Sequence, residues 1–85
     1  MDKVIIDVRD PGEYATGHVQ QAINVPLSSF NQVHPAINSL PKDAQIVVYC
    51  RSGARSAQAQ SILKSWGYGN VTNGINQRNV EAGLA

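Results

Sequence analysis

Cysteine and charge are both scarce in this sequence. Cys50 is the single cysteine among 85 residues, and Lys, Arg, Asp and Glu together make up 15% of the chain, with a net charge of +1. One thiol can form neither an intramolecular disulfide nor a thiolate zinc site, which excludes disulfide-stapled and zinc-ribbon domains. The weak charge supplies no strong field for nucleic acid or an anionic membrane, so neither is an expected partner.

Long apolar runs are also missing. No apolar run approaches the ~18 residues of a transmembrane helix. No signal peptide is visible, because the chain enters a β-branched stretch at Val4. A cytoplasmic location is expected if Met1 is the native start, and a periplasmic one if Met1 replaces a removed signal peptide. With 42% hydrophobic residues, residues 1–85 are expected to form a single domain.

Short apolar stretches alternate with helical patterns along the chain. The β-branched runs predict four strands, over residues 4–8, 22–25, 45–49 and 70–72. Helical patterns are predicted over residues 11–16, 28–33, 36–40, 56–66 and 77–82. This alternation predicts an α/β fold with a mainly parallel sheet flanked by short helices.

Cys50 follows the most apolar strand and precedes a predicted helix. Ligands of parallel α/β sheets bind at the carboxyl ends of the strands, where a strand–loop–helix turn directs backbone N–H groups inward. Two arginines, Arg51 and Arg55, add positive charge beside the thiol. These features favour a lowered pKa and a thiolate nucleophile for an anionic substrate. The same residues admit a second interpretation, a buried core thiol beside two solvated arginines.

Four motifs resemble those of rhodanese domains, in the order and spacing of that family. They are Ile-Asp-Val-Arg-Asp-Pro-Gly-Glu-Tyr at residues 6–14, Gly-His-Val-Gln-Gln-Ala-Ile-Asn-Val-Pro at 17–26, Val-Val-Tyr-Cys-Arg-Ser-Gly-Ala-Arg-Ser at 47–56 and Gly-Tyr-Gly-Asn-Val at 67–71. The resemblance extends from residue 4 to residue 84, and the size is similar to that of the compact single-domain rhodaneses of the phage-shock protein E type. Together the four motifs are far more specific than any one of them.

The resemblance implies a thiosulfate sulfurtransferase (rhodanese). Cys50 would attack the sulfane sulfur of thiosulfate or a similar donor, form a persulfide and release sulfite, and cyanide or a thiol would then accept the sulfur. This covalent chemistry requires no metal and no organic cofactor. By the same resemblance, the substrate and the persulfide would be bound by Arg51, Ser52, Gly53, Ala54, Arg55 and Arg9.

The expected roles within this set differ. The backbone amides of residues 51–55 would cradle the persulfide, Arg51 would contact the donor, and Arg55 would bind the leaving sulfite or hold the loop. Asp7 and Arg9 share one face of the first strand. Asp7 is expected to be structural, and Arg9 to contact substrate or to form a scaffold salt bridge. His18 is expected to support the loop before the second strand.

The sequence departs from the family pattern at both ends. Many rhodanese domains carry a further strand and helix before the first motif, so a smaller sheet of about four strands is expected here. Where the family has a double glycine and a tryptophan, residues 73–80 have one glycine and no tryptophan. The packing of the last helix is therefore not predicted, whereas the loop at Cys50 is complete.

Two other functions remain open. A cysteine phosphatase or arsenate reductase also uses a cysteine in an anion-binding loop, but it needs five residues between the cysteine and the arginine, and four separate Cys50 from Arg55. A persulfide-relay or interaction module would instead pass sulfur to a partner protein that the sequence does not identify. The chain is expected to be a monomer acting on small molecules.

Overall fold

Four parallel strands form one sheet in the computed structural model, which describes residues 3–31 and 34–83. The strands are β1 (Lys3–Asp7), β2 (Ile23–Asn24), β3 (Gln45–Cys50) and β4 (Val71–Asn76). Their order across the sheet is β2-β1-β3-β4, and every neighbouring pair is parallel. The predicted α/β fold with a small parallel sheet is confirmed, and the sheet is wholly rather than mainly parallel.

Within the described residues, four α-helices follow the strands in turn along the chain. They are α1 (Pro11–Ala15), α2 (Pro35–Asn38), α3 (Ala54–Ser65) and α4 (Gln77–Glu81). The helical stretch predicted over residues 28–33 is a 3₁₀ helix over Leu27–Asn31, and residues 32 and 33 lie outside the described residues. Among the described helices, none has the length and apolar character that crossing a bilayer requires.

The core lies on both faces of β1 and β3. From Ile46 to Cys50 every side chain of β3 is buried, as expected for a central strand covered on both sides. Ala59 and Leu63 of α3 are fully buried against one face. A smaller cluster of Val19, Ala22 and Tyr49 covers the other face. Each fully buried aliphatic or aromatic side chain contributes about 1.5–3 kcal/mol relative to exposure.

A bulge interrupts the pairing of β3 with β4. Val48 pairs with Asn73 and Tyr49 pairs with Ile75, so Gly74 is the extra residue. A Cβ on Gly74 would lie 2.5 Å from Val80 Cγ2, which explains why glycine is required there. The bulge lets β4 continue to Asn76, four residues beyond the end that the sequence predicts. It also allows α4 to pack through Val80 against the smaller cluster.

Ile75 has an unusual conformation within this bulge. Its φ of 73° lies in the left-handed region, which a β-branched residue rarely adopts. It occupies the segment in which the family pattern has a double glycine. The Ile75 side chain lies over Gly53, where a Cβ would be 3.3 Å from Ile75 Cγ2. The departure noted in the sequence therefore brings an apolar side chain against the Cys50 loop.

Candidate active site

Cys50 ends β3, and a three-residue turn joins it to α3. Gly53 adopts φ 93°, a left-handed conformation that glycine accepts without strain, and it caps the N-terminus of α3. Its backbone N–H donates to Cys50 Sγ at 3.1 Å. Since Gly53 already ends the turn, α3 begins at Ala54, two residues before the predicted start. The thiol itself is 2% exposed.

The thiol is tuned by hydrogen bonds to the sulfur. Burial by itself raises the pKa of Cys50, but these hydrogen bonds act in the opposite direction and lower it to about 7. In order of effect, the contributions come from the Ser56 hydroxyl, when it donates to the thiolate, and from the backbone N–H groups of Ser56, Gly53 and Ser52. The lowered pKa agrees with the sequence prediction, and its causes include the inward backbone N–H groups expected there, whereas the two neighbouring arginines are not among the leading causes.

Both of those arginines lie within ion-pair distance of Glu13. Arg55 forms a bidentate ion pair with Glu13 of α1, with Nη1–Oε1 and Nη2–Oε2 distances of 2.7 and 3.2 Å. The Arg55 hydrogen bond is the main reason why the pKa of Glu13 falls to about 2. Arg51 is 76% exposed and lies 4.0 Å from Glu13 Oε2. Arg55 was expected either to bind the leaving sulfite or to hold the loop, and its contacts with Glu13 correspond to holding the loop.

Arg9 is buried and paired with Asp7. Its Nη2 lies 2.6 Å from Asp7 Oδ2, its Nε also donates to the carboxylate, and Nη2 donates to the Gly17 carbonyl. Tyr49 completes this network by donating its hydroxyl proton to Asp7 Oδ2 at 2.9 Å. Burial raises the pKa of Tyr49 to about 12, so the phenol remains a donor. The scaffold salt bridge expected as one role of Arg9 is therefore present.

Arg9 also reaches the mouth of the Cys50 loop. A cavity of about 270 Å³ is lined by Arg9, Cys50, Arg51, Asn76, Gln77 and Arg78. Three of the predicted site residues thus meet at one cavity. Ser52 and Ala54 are exposed and Gly53 is buried, and the backbone N–H groups of Ser52 and Gly53 are directed to the Cys50 sulfur. Arg55 is directed toward Glu13 and does not line the cavity.

Several residues of the site were not singled out from the sequence. Arg78 and Gln77 come from the first turn of α4, which reaches the cavity because the bulge sets the end of β4. Ser56 lies 3.5 Å from Cys50 Sγ through its Oγ, and Asn73 binds Ser56. Ser56 is the last residue of the loop motif, and its place in that motif could have indicated that it lies near Cys50. Nothing in the sequence around Asn73 or Arg78 indicates such proximity. Across the described ranges, no three His, Cys, Asp or Glu side chains form a metal-binding group.

His18 supports the segment before β2, as the sequence analysis expected. Its ring stacks on Tyr14 at a centroid distance of 3.6 Å, and its Nδ1 lies 2.8 Å from the Tyr14 carbonyl oxygen. The Tyr14 hydroxyl donates to the Ala22 carbonyl at 2.7 Å. Together these contacts hold the end of α1 against the start of β2.

A strand–turn–helix thiol loop on a small parallel sheet is the arrangement found in rhodanese domains. Residues 1–76 match the family model described as the rhodanese-like domain, and the chain belongs to this family. It is 40% identical over 72 residues to a protein of Allochromatium vinosum named sulfurtransferase, which covers 85% of this chain and 64% of that protein. It is 42% identical over 69 residues to the thiosulfate sulfurtransferase PspE of Escherichia coli, covering 80% and 64%.

The fold comparison agrees with the sequence comparison. A solved structure described as a rhodanese with anions from E. coli superposes with a TM-score of 0.81 and 37% sequence identity, and the match covers 92% of this chain and 91% of that one. The chain spans somewhat under two thirds of the length of the two curated relatives named above, 64% in each case. The family predicted from the four motifs is confirmed.

Proposed function

We propose that this chain is a sulfurtransferase that moves a sulfane sulfur from thiosulfate to cyanide or a thiol through a persulfide on Cys50. The observation that carries the proposal is the single thiol, with a pKa near 7, placed among inward N–H groups at a cavity lined by arginines. The relatives named as sulfurtransferases support the reaction class. All bonds are made and broken at sulfur, so the proposal requires no metal and no organic cofactor.

The reaction balances as two displacements at sulfur. The Cys50 thiolate attacks the outer sulfur of thiosulfate, the S–S bond of the donor breaks, and sulfite leaves with the electron pair. The acceptor, cyanide or a thiolate, then attacks the outer sulfur of the persulfide and releases the Cys50 thiolate. The N–H groups that face Sγ in the free enzyme stabilise the negative charge on sulfur in both steps.

Arg51 and Arg78 are the cavity residues best placed to bind the donor's sulfonate. Arg9 is neutralised by Asp7, with which it forms a buried pair. Arg51 lies only at the 4.0 Å limit of an ion pair with Glu13, which Arg55 already holds with two hydrogen bonds. No ion pair of Arg78 occurs within the part of the chain that the structure describes. The charges of these two guanidinium groups therefore remain available to an anion in the cavity.

Substituting either of these arginines is expected to weaken use of the donor. Arg51→Ala and Arg78→Ala should each raise the KM for thiosulfate about three- to tenfold, with a smaller change in kcat, because each removes one charge-assisted contact to the sulfonate. Steady-state assays with cyanide as acceptor measure both constants. Lys64→Ala removes an exposed cation at the far end of α3 and serves as the matched control. An unchanged KM in both arginine variants would show that they are surface charges.

Intact-protein mass spectrometry tests the proposed function directly. Incubation with thiosulfate should add one sulfur atom, about 32 Da, and subsequent cyanide should remove it. Because Cys50 is the sole thiol, the adduct needs no mapping. Absence of an adduct with thiosulfate and with polysulfide, in protein whose thiol is still alkylated by iodoacetamide, would contradict the proposal.

The phosphatase alternative is disfavoured by the same geometry. A phosphatase loop directs its arginine into the anion cradle, but Arg55 is bound to Glu13 by two hydrogen bonds. The shorter spacing between Cys50 and Arg55 leaves a tight turn that holds one sulfur atom through the Gly53 N–H. These contacts favour sulfur chemistry over hydrolysis of a phosphate ester.

A further inference from the structure

The orientation of the Asn73 side-chain amide is fixed by its neighbours. Its Oδ1 accepts the backbone N–H of Ile75 at 3.0 Å, and its Nδ2 donates to the Gly53 carbonyl at 3.1 Å. A backbone N–H can only donate and a carbonyl can only accept, so oxygen and nitrogen cannot be exchanged. The Ser56 hydroxyl, 2.6 Å from Asn73 Oδ1, must therefore be the donor in that contact.

This assignment determines what Ser56 presents to Cys50. A hydroxyl has one proton, and with that proton on Asn73 the Ser56 Oγ faces Cys50 Sγ through a lone pair, at 3.5 Å. That arrangement accepts the S–H of a neutral thiol and repels a thiolate. Ser56 can stabilise the thiolate only after its O–H rotates from Asn73 to the sulfur. Asn73 Oδ1 keeps the Ile75 N–H meanwhile, so the rotation leaves no unsatisfied acceptor.

We propose that Asn73 is a positioning residue that competes with the Cys50 sulfur for the Ser56 hydroxyl proton. In the resting thiol, Ser56 donates to Asn73 and Cys50 donates to Ser56. When the thiol proton leaves to solvent through the cavity, the hydroxyl turns and donates to the thiolate. The inference rests on the proposed function in one respect, namely that the ionised Cys50 accepts the sulfur from the donor. The ionisation itself can be measured without any sulfur donor.

The charged groups around the thiol do not explain such an effect. Arg9, Arg51 and Arg78 line the cavity at Cys50, and the paired Arg55 and Glu13 do not line it. Rotation of one hydroxyl changes neither their number nor their charge. A contribution that depends on both Ser56 and Asn73 is therefore separable from the field of these groups by a double-mutant cycle.

The test follows the rate of iodoacetamide alkylation of Cys50 against pH in four chains: wild type, N73A, S56A and the double variant. The wild-type rate should rise with pH through about 7. N73A also frees the Gly53 carbonyl and the Ile75 N–H, and these effects are common to both backgrounds. The N73A shift should be about 0.5–1 pH unit more negative with Ser56 present than in the S56A background. Equal shifts, or a difference of opposite sign, would overturn the proposal.

A second variant gives the opposite sign and covers a failure of N73A to fold. Asn73→Asp keeps an acceptor for Ser56 and makes it stronger, so it should raise the pKa of Cys50 more in the wild-type background than in the S56A background. The added charge and the loss of the donor to the Gly53 carbonyl act equally in both backgrounds and cancel. Asn70→Ala removes an exposed amide that donates to the Asp43 carbonyl and should leave the profile unchanged. A charge effect alone, identical in both backgrounds, would exclude competition for the hydroxyl.

Discussion

Replacing Cys50 by serine is expected to reduce sulfur transfer by at least about a thousandfold while leaving the fold intact. A serine hydroxyl does not ionise near neutral pH, and oxygen in place of sulfur cannot carry a persulfide. The hydroxyl can accept the Gly53 N–H that now binds Sγ, so the loop keeps its hydrogen bond. Turnover with thiosulfate and cyanide measures the loss.

The fold of this variant is measured separately. Urea unfolding should differ from the wild type by no more than about 1 kcal/mol, because the substitution is close in size and keeps a polar partner. Cys50→Ala, which removes the polar atom as well, should lose transfer to the same extent. Transfer at more than a small fraction of the wild-type rate in either variant would show that sulfur does not travel on Cys50.

Replacing Asp7 by alanine is expected to lower the free energy of unfolding by about 3–5 kcal/mol. The carboxylate is fully buried and binds the backbone N–H and guanidinium of Arg9 and the hydroxyl of Tyr49. Its removal leaves a buried cation and a buried phenol without their acceptor. For an 85-residue chain, whose total stability is on the order of 5–15 kcal/mol, this is a large share.

Urea unfolding followed by circular dichroism measures this effect. Asp43→Ala, at an exposed position in the loop before β3, is the matched control and should change stability by less than about 0.5 kcal/mol. Removing Arg9 together with Asp7, as Asp7→Leu with Arg9→Met, should recover part of the loss, since no unpaired charge remains. A loss below about 1 kcal/mol for Asp7→Ala would mean that water reaches the pair.

The sequence predicts the strands, the family and the position of the nucleophile, because each depends on a local pattern. Apolar β-branched runs identify β1 and β3, and the residues around Cys50 identify the loop. The ion-pair partner of Arg55 is Glu13, which lies 42 positions away in the sequence. No local pattern indicates that Arg55 binds this carboxylate rather than an anion in the loop. Arg78 follows the bulge at Gly74, whereas Asn73 lies just before it and is placed by its pairing with Val48 of β3. A single glycine in the sequence does not indicate which residues of β4 pair with which residues of β3.

The ion pair between Glu13 and Arg55 persists to a lower pH than the Cys50 thiolate does. The Cys50 thiolate is lost as pH falls below about 7, so reactivity declines first. The pKa of Glu13 is lowered from 4.5 to about 2, so the stabilisation from this carboxylate is complete above about pH 5 and is lost progressively as the pH falls toward 2. At mildly acidic pH the Cys50 thiol is therefore protonated, while Glu13 of α1 still pairs with Arg55 of the loop. Return to neutral pH therefore restores the thiolate in a loop that has kept its ion pair to α1.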